Sequence, residues 1–209
     1  MPTPMRISML NNPSRRAALA GLIALPAAFA LPRSAFALNT AEARALIDGL
    51  VAEINRVINS GMSEAKMFVA FENIFIKYSD VPIIARSALG IAARSATPSQ
   101  MEAFTVAFRG YLSRKYGRRF REFIGGRLEV NEARAVKSFY EVKTTAYLKG
   151  EAPFDVTFLV SDKSGRDLFF NMYIEGVNMV ASERTEIGAM LDQRRGNIDL
   201  LTQDLRKAG

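Results

Sequence analysis

The hydrophobic period of this chain changes from helical to strand spacing at Gly125-Gly126. Before that point apolar residues recur every three to four positions, which places them on one stripe of a helix. After it they alternate with polar residues, the spacing of strands with one buried face. Helices gathered in one half and strands in the other leave no βαβ units. The order therefore predicts an α+β fold, with N-terminal helices covering a curved, mostly antiparallel sheet of about four strands and short helices closing the chain.

The punctuation agrees with the period. Asn39 or Thr40 caps a first helix reaching about Asn59, with Leu46, Leu50, Ile54, Val57 and Ile58 on one face. Ser63 caps a second, turning Met67, Phe71, Ile74 and Phe75 inward. Asp80 followed by Pro82 opens a third, carrying Ile84, Ala88, Leu89 and Ala92. Thr97-Pro98-Ser99-Gln100 is a capping box, and it opens the longest helical pattern, to about Ile124. Met101, Phe104, Phe108, Tyr111, Leu112 and Phe120 fall on one side of that helix. Its last turns hold Arg109, Arg114, Lys115, Arg118, Arg119 and Arg121, with only Glu122 opposed. Strands are expected over 127–134, 136–149, 152–161 and 167–182, joined by turns at Gly150 and Gly165.

Residues 1–37 read as an address rather than as part of the fold. A basic, polar start leads to Arg15-Arg16, then an Ala-rich apolar stretch, then Ala35-Phe36-Ala37, the small-residue pattern that signal peptidase requires. The paired arginines resemble a twin-arginine signal. Cleavage after Ala37 and a single mature domain over 38–209 in a bacterial periplasm are expected. Four arginines and no acid fall in the leader, so removing it lowers the net charge from +7 to +3. That small excess argues against nucleic acid as a partner.

Cysteine, histidine and tryptophan are absent. Thiolate and imidazole zinc sites, Ser-His-Asp and Cys-His nucleophiles and disulfides are excluded, as is a lipoprotein cysteine after the cleavage site. No cofactor or metal is expected. Fourteen Phe and nine Met are available for a core, and Leu168-Phe169-Phe170-Asn171-Met172-Tyr173-Ile174 is apolar on both parities. Such a strand is either buried on both faces or has one face lining a cavity.

Ile174-Glu175-Gly176-Val177-Asn178-Met179-Val180, followed by Glu183-Arg184, resembles the "EGVSLV…YR" signature of the MlaC family. Ala88-Leu89-Gly90, Ala96-Thr97-Pro98-Ser99-Gln100 and Phe104…Phe108 are similar to that family's "LG…R.ATPEQ…F…F" segment. The stretch from Gly196 to Leu205 is similar to its terminal "G-x-x-x-LI..L". The resemblance spans about residues 42–207. Asn171 and Asn178 depart from the Asp and Ser common there, and the tryptophan usual at the start of the long strand is missing.

The resemblance implies an NTF2-like shape and a periplasmic phospholipid carrier, also described as an auxiliary protein of toluene-tolerance ABC transporters. Its ligand would be a phospholipid whose acyl chains lie between sheet and helices. Its partners would be an inner-membrane MCE-domain ABC transporter complex and an outer-membrane lipoprotein complex, with the carrier a monomer that maintains outer-membrane lipid asymmetry. On that arrangement the lipid-lining candidates are Phe75, Ile84, Leu89, Phe104, Phe108, Leu112, Tyr140, Val142, Val156, Phe158, Tyr173, Val177 and Met179. Arg114, Arg118 and Arg121 are the candidates for a partner or head-group contact, against the plainer reading of a solvated helix face.

Three alternatives stand beside it. A hopanoid or isoprenoid-lipid carrier of the same family would look alike in sequence. An NTF2-like enzyme could use Asp155 with Tyr140, Tyr147 or Tyr173 for proton transfer, and a buried carboxylate in the pocket would favour it over a carrier. A two-lobed solute-binding protein needs βαβ repeats, which are absent. Arg184 is expected in a structural ion pair with Glu175 or Glu183.

Overall fold

Each helix begins where a polar side chain ends the extended chain before it. In helix α1 (Thr40–Ile58) Asn39 Oδ1 accepts from the N–H groups of Ala41 and Glu42, and Glu42 reaches back to the Asn39 N–H. Its buried stripe is Ala43, Ile47, Leu50, Val51, Ile54, Val57 and Ile58, with Leu46 half-buried at the border. Helix α2 (Glu64–Tyr78) starts after Ser63, which holds the cap position but makes no side-chain cap hydrogen bond. Helix α3 (Val81–Leu89) starts on Asp80, whose Oδ1 accepts from the Ile83 N–H at 3.2 Å. A 3-10 segment, Gly90–Arg94, leads on to helix α4 (Pro98–Gly117), and Thr97 and Gln100 form the expected reciprocal capping box.

This computed structural model describes residues 38–117 and 122–209. The leader expected over 1–37 and its cleavage site lie outside the described residues, as do Arg118, Arg119, Phe120 and Arg121. Residues 122–125 form a turn, so the helical pattern does not run to Ile124 as the sequence suggested.

The sheet is a meander of β1 (Arg127–Val136), β2 (Phe139–Tyr147), β3 (Phe154–Ser161), β4 (Leu168–Ile174) and β5 (Val177–Asn178). Every neighbouring pair is antiparallel and the spatial order follows the chain. The fold is α+β as expected, with five strands instead of about four. The extra strand comes from the expected run over 167–182, which is not one strand. The chain reverses at Glu175-Gly176, both at positive φ (49° and 80°), and Ile174 pairs with Val177 across this two-residue turn. Asn178 Oδ1 then accepts from the Ala181 N–H at 2.9 Å and opens helix α5 (Met179–Gln193). Helix α6 (Ile198–Leu205), capped by Asn197, closes the chain.

Two register shifts interrupt the ladders, at Val130/Glu132 and at Leu159/Val160. The second explains the strand that is apolar on both parities. Val160 opposes Phe169, whereas Phe158 opposes Met172 and Val156 opposes Ile174. One residue is therefore extra between Phe169 and Met172, and the buried set changes parity at that bulge. Phe170, on the other side, meets Phe139 edge-on at 5.9 Å.

The free edge of β1 is covered by α1. Asn55 donates to the Leu128 carbonyl and accepts from its N–H (3.0 and 2.9 Å), while Arg44 donates to the carbonyls of Val130 and Asn131. These side chains satisfy edge groups that would otherwise invite pairing with another chain. The core forms where the helices meet the face carrying Val142, Val156, Phe158, Val160 and Phe169.

Candidate functional site

The helices and the sheet do not close on each other completely. Between them is a cavity of about 440 Å³, within the range of small-molecule sites. On the helical side it is lined by Leu50 and Ile54 of α1, Phe71, Ile74 and Phe75 of α2, Ile84 of α3, Leu112, Ser113 and Tyr116 of α4, and Met179, Val180 and Glu183 of α5. The sheet contributes Leu128, Phe154, Val156, Phe158, Phe169, Asn171, Met172 and Ile174. Glu122, Phe123, Leu148, Glu151, Ala152 and Glu175 complete the lining, the three glutamates being exposed.

Aromatic edges hold much of this wall. Phe169 meets Phe158 at 5.4 Å and Phe75 at 6.1 Å, and Phe123 meets Phe154 at 6.3 Å, all edge to face. Such contacts add to area burial and fix ring orientation. The surface they present offers an acyl chain about 0.8 kcal/mol for each methylene taken from water.

Six of the residues named from sequence line the cavity: Phe75, Ile84, Leu112, Val156, Phe158 and Met179. The other seven do not. Phe104 and Phe108 are fully buried, stacked on each other at 5.6 Å in the packed core. Leu89 and Val142 are also buried core. Tyr140 donates its hydroxyl to the Leu38 carbonyl. Tyr173 opposes Thr157, on the parity away from Phe158, and its hydroxyl accepts from Asn178. Val177 is 55% exposed beside the β4–β5 turn.

Sequence reasoning chose Tyr173, Val177 and Met179 on this run and missed Phe169, Met172 and Ile174, because the bulge between Phe169 and Met172 moves the cavity face from one parity to the other. Leu50, Ile54, Phe71 and Ile74 were recognised as inward-facing, but nothing in their spacing separates a packed neighbour from an open one. Glu183 carried no periodic signal as a cavity residue.

One wall of the cavity is polar. Glu183 is 3% exposed; its Oε1 accepts from Lys115 Nζ at 2.8 Å and from the Tyr116 hydroxyl. Lys115 also donates to Glu186, which accepts from the Tyr111 hydroxyl as well. Burial works against the Lys115 charge, yet the hydrogen bonds to Glu183 and Glu186 outweigh it and hold the ammonium above the usual lysine range. Burial first, and then the hydrogen bonds to Glu186 and Glu183, push the Tyr111 and Tyr116 phenols upward. Burial would raise the Glu186 carboxyl, but its bonds from Lys115 and Tyr111 prevail and hold it below the ordinary value.

The basic end of α4 is thus engaged within the fold where it is described. Arg109 Nε pairs with Glu72 at 2.9 Å, and Arg114 donates to the carbonyls of Ala208 (2.8 Å) and Leu205. The partner-contact candidates Arg118 and Arg121 lie outside the described residues. Arg184 is not placed as expected. Its Nε donates to the Ser87 carbonyl at 2.7 Å and ties α5 to α3, while Glu183 pairs with Lys115.

The residues named for proton chemistry do not meet in the cavity. Asp155 is exposed, Tyr140 and Tyr173 are bonded as described, and Tyr147 lies under the Arg127 guanidinium at 4.0 Å. The pocket does hold a buried carboxylate, Glu183, the feature named above as favouring an enzyme, so it is not wholly apolar; one of its oxygens, Oε1, accepts from both Lys115 and Tyr116. Among the described residues no group of three or more metal-ligating side chains comes together, and no helix is long and apolar enough to cross a membrane.

Comparison with known proteins gives two findings. The family model described as MlaC protein matches residues 46–207. Among solved structures, a phospholipid-binding protein from Ralstonia solanacearum, determined in complex with a phospholipid, superposes with a TM-score of 0.68 at 19% identity, covering 79% of this chain and 95% of that one. At that identity the likeness speaks for the shared fold.

Proposed function

The chain belongs to the MlaC family, and on that footing we propose that it is a periplasmic carrier which shelters the acyl chains of a phospholipid and moves the lipid between membranes. The observation that carries this reading is the cavity of about 440 Å³ between helices and sheet, walled mainly by aliphatic and aromatic side chains. A diacyl lipid does not cross water unaided, because its two chains together face a cost on the order of 20 kcal/mol at about 0.8 kcal/mol per methylene. A chaperone for it needs a preformed apolar cavity and little else. The phospholipid named with the Ralstonia structure supports the same ligand class.

In this reading residues 1–37 direct export through the twin-arginine route and are removed after Ala37. The carrier works between an inner-membrane MCE-domain transporter complex and an outer-membrane lipoprotein complex, and so maintains outer-membrane lipid asymmetry. Of the three basic candidates for docking, Arg114 is committed to the carbonyls of α6 and the segment after it, which leaves Arg118 and Arg121. Charge reversal at those two should slow association with the transporter most at low salt; an unchanged rate removes them from the interface.

The experiment that tests the ligand is mass spectrometry of lipids extracted from the purified mature protein. Glycerophospholipid near one per chain is expected. Hopanoid or isoprenoid lipid instead would keep the carrier and change its cargo, and no lipid from any membrane source would overturn the carrier reading.

A further inference from the structure

Leu38, directly before the α1 cap, is held at both of its backbone groups. Its N–H donates to Asp162 Oδ2 at 3.1 Å, and its carbonyl accepts from the Tyr140 hydroxyl. Its side chain belongs to the buried core. Asp162 stands in the turn between β3 and β4, and Tyr140 on β2. Leu38 therefore ties the start of α1, a helix that lines the cavity through Leu50 and Ile54, to the sheet.

Acidic groups gather at this point. Asp167 ends the same turn, and Glu42 lies in the first turn of α1. Burial first, and then the charges of Glu42 and Asp162, push the Asp167 carboxyl upward, so the three acids share one field. Glu42 accepts from the Asn39 N–H at 2.9 Å. Of the cations in the turn, Lys163 donates to Ser138 Oγ at 3.0 Å and Arg166 is exposed. What meets Asp162 is a neutral amide N–H, which leaves most of that negative field unbalanced.

Removal of the leader supplies the cation. Hydrolysis of the Ala37–Leu38 bond consumes one water: the leader departs with a carboxylate on Ala37, and Leu38 keeps its nitrogen as an ammonium. The atom facing Asp162 Oδ2 then carries a full charge. Building on cleavage after Ala37, we propose that Asp162 is the docking site of the processed N-terminus, in an ion pair that forms only on cleavage and that Asp167 and Glu42 reinforce. A charge-assisted bond of this kind is about twice as strong as a neutral one. The dipole at the start of α1 opposes a positive charge there, and the Glu42 carboxylate in its first turn offsets that opposition. The precursor thus holds α1 to the sheet by an amide and the mature chain holds it by an ion pair, so the helical wall of the cavity is fixed more firmly once the leader has gone.

The test uses the protein purified from the periplasm. Mass spectrometry first identifies its N-terminal residue, and competitive amine labelling against pH then gives the titration midpoint of its α-amine. An α-amine ordinarily titrates at about 7.7–8.0; on Leu38 the midpoint should lie about one unit higher, a tenfold gain in proton affinity. Folding raises this value, so the stabilisation is complete below about pH 7.7 and is lost as the pH rises through the folded value. Asp162→Asn keeps the turn, because it is the Asp162 carbonyl that accepts from the Gly165 N–H at 2.8 Å. That variant should return the midpoint to about 8 and lower Tm by about 3–5 °C at pH 7, a gap that shrinks about threefold by pH 10. An ordinary midpoint in an unsubstituted chain that begins at Leu38 overturns the docking, whether or not Asp162→Asn folds. A raised midpoint that survives in Asp162→Asn, or a Tm gap independent of pH, assigns the effect to something other than this ion pair and overturns it too. A mature chain that begins at another residue overturns the cleavage reading, and the docking with it.

Discussion

Phe108→Ala and Ile174→Asp separate the packed core from the cavity wall. Phe108 is fully buried, stacked with Phe104 at 5.6 Å and tilted against Tyr111 at 6.2 Å, and is not among the residues lining the cavity. Removing its ring costs about 3–5 kcal/mol. At roughly 2–4 °C per kcal/mol for a domain of this size, Tm falls by about 6–20 °C. Ile174 is half-buried at the end of β4, opposite Val156, and lines the cavity. An aspartate there stays hydrated in the lipid-free chain, so folding suffers less than in the Phe108 variant. An acyl chain laid against it strands the carboxylate, at a cost of several kcal/mol.

The two variants are distinguished by what lipid adds. Ligand at about a hundred times its Kd stabilises by roughly 2.7 kcal/mol, or about 5–11 °C. Differential scanning calorimetry with and without phospholipid should show that increment intact in Phe108→Ala and abolished in Ile174→Asp. An increment lost in the first and kept in the second would refute the division of core from cavity.

Three further outcomes are expected. Glu186 is held below the ordinary carboxylate value of about 4.3, so it contributes stability above that pH that is lost as the pH falls through it; Glu186→Gln should flatten the acid limb of Tm against pH below about pH 5 and leave the neutral region less stable. Asn178→Ala removes the α5 cap and should cost about 0.5–2 kcal/mol in urea unfolding, with an unchanged midpoint refuting the cap's role. Arg15→Lys with Arg16→Lys should leave precursor in the cytoplasm on fractionation, and normal periplasmic appearance would refute the twin-arginine route while sparing export.

The helical half was legible because its signals are local. Asn39, Asp80 and Thr97 each cap the helix that follows, and the stripes of α1 and α3 come from spacing alone. The sheet was legible up to the point where geometry left the regular period. Glu175 at positive φ is not a residue that announces a tight turn, although Gly176 beside it is, and the helical start at Asn178 was hidden in an apolar run that also reads as strand. The bulge between Phe169 and Met172 has no composition of its own, so the apolar residues on both parities could not be assigned to one face from the sequence. Cavity and core differ by a few ångströms of separation between elements, which no single sequence encodes; Phe108 and Leu112 share one helix face, and only Leu112 meets open space. Glu183 was read with Arg184, its chain neighbour, when its partner is Lys115, 68 residues away.

Whether lipid chains occupy this cavity is tested most directly by photo-crosslinking with a phospholipid bearing a diazirine at mid-chain, followed by peptide mapping. Adducts are expected on the wall formed by Phe158, Phe169, Met172, Ile174 and Phe75. Adducts concentrated on Phe139, Phe170 or Tyr173, on the opposite face of the sheet, or an even spread over exposed residues such as Val69 and Ile91, would contradict it.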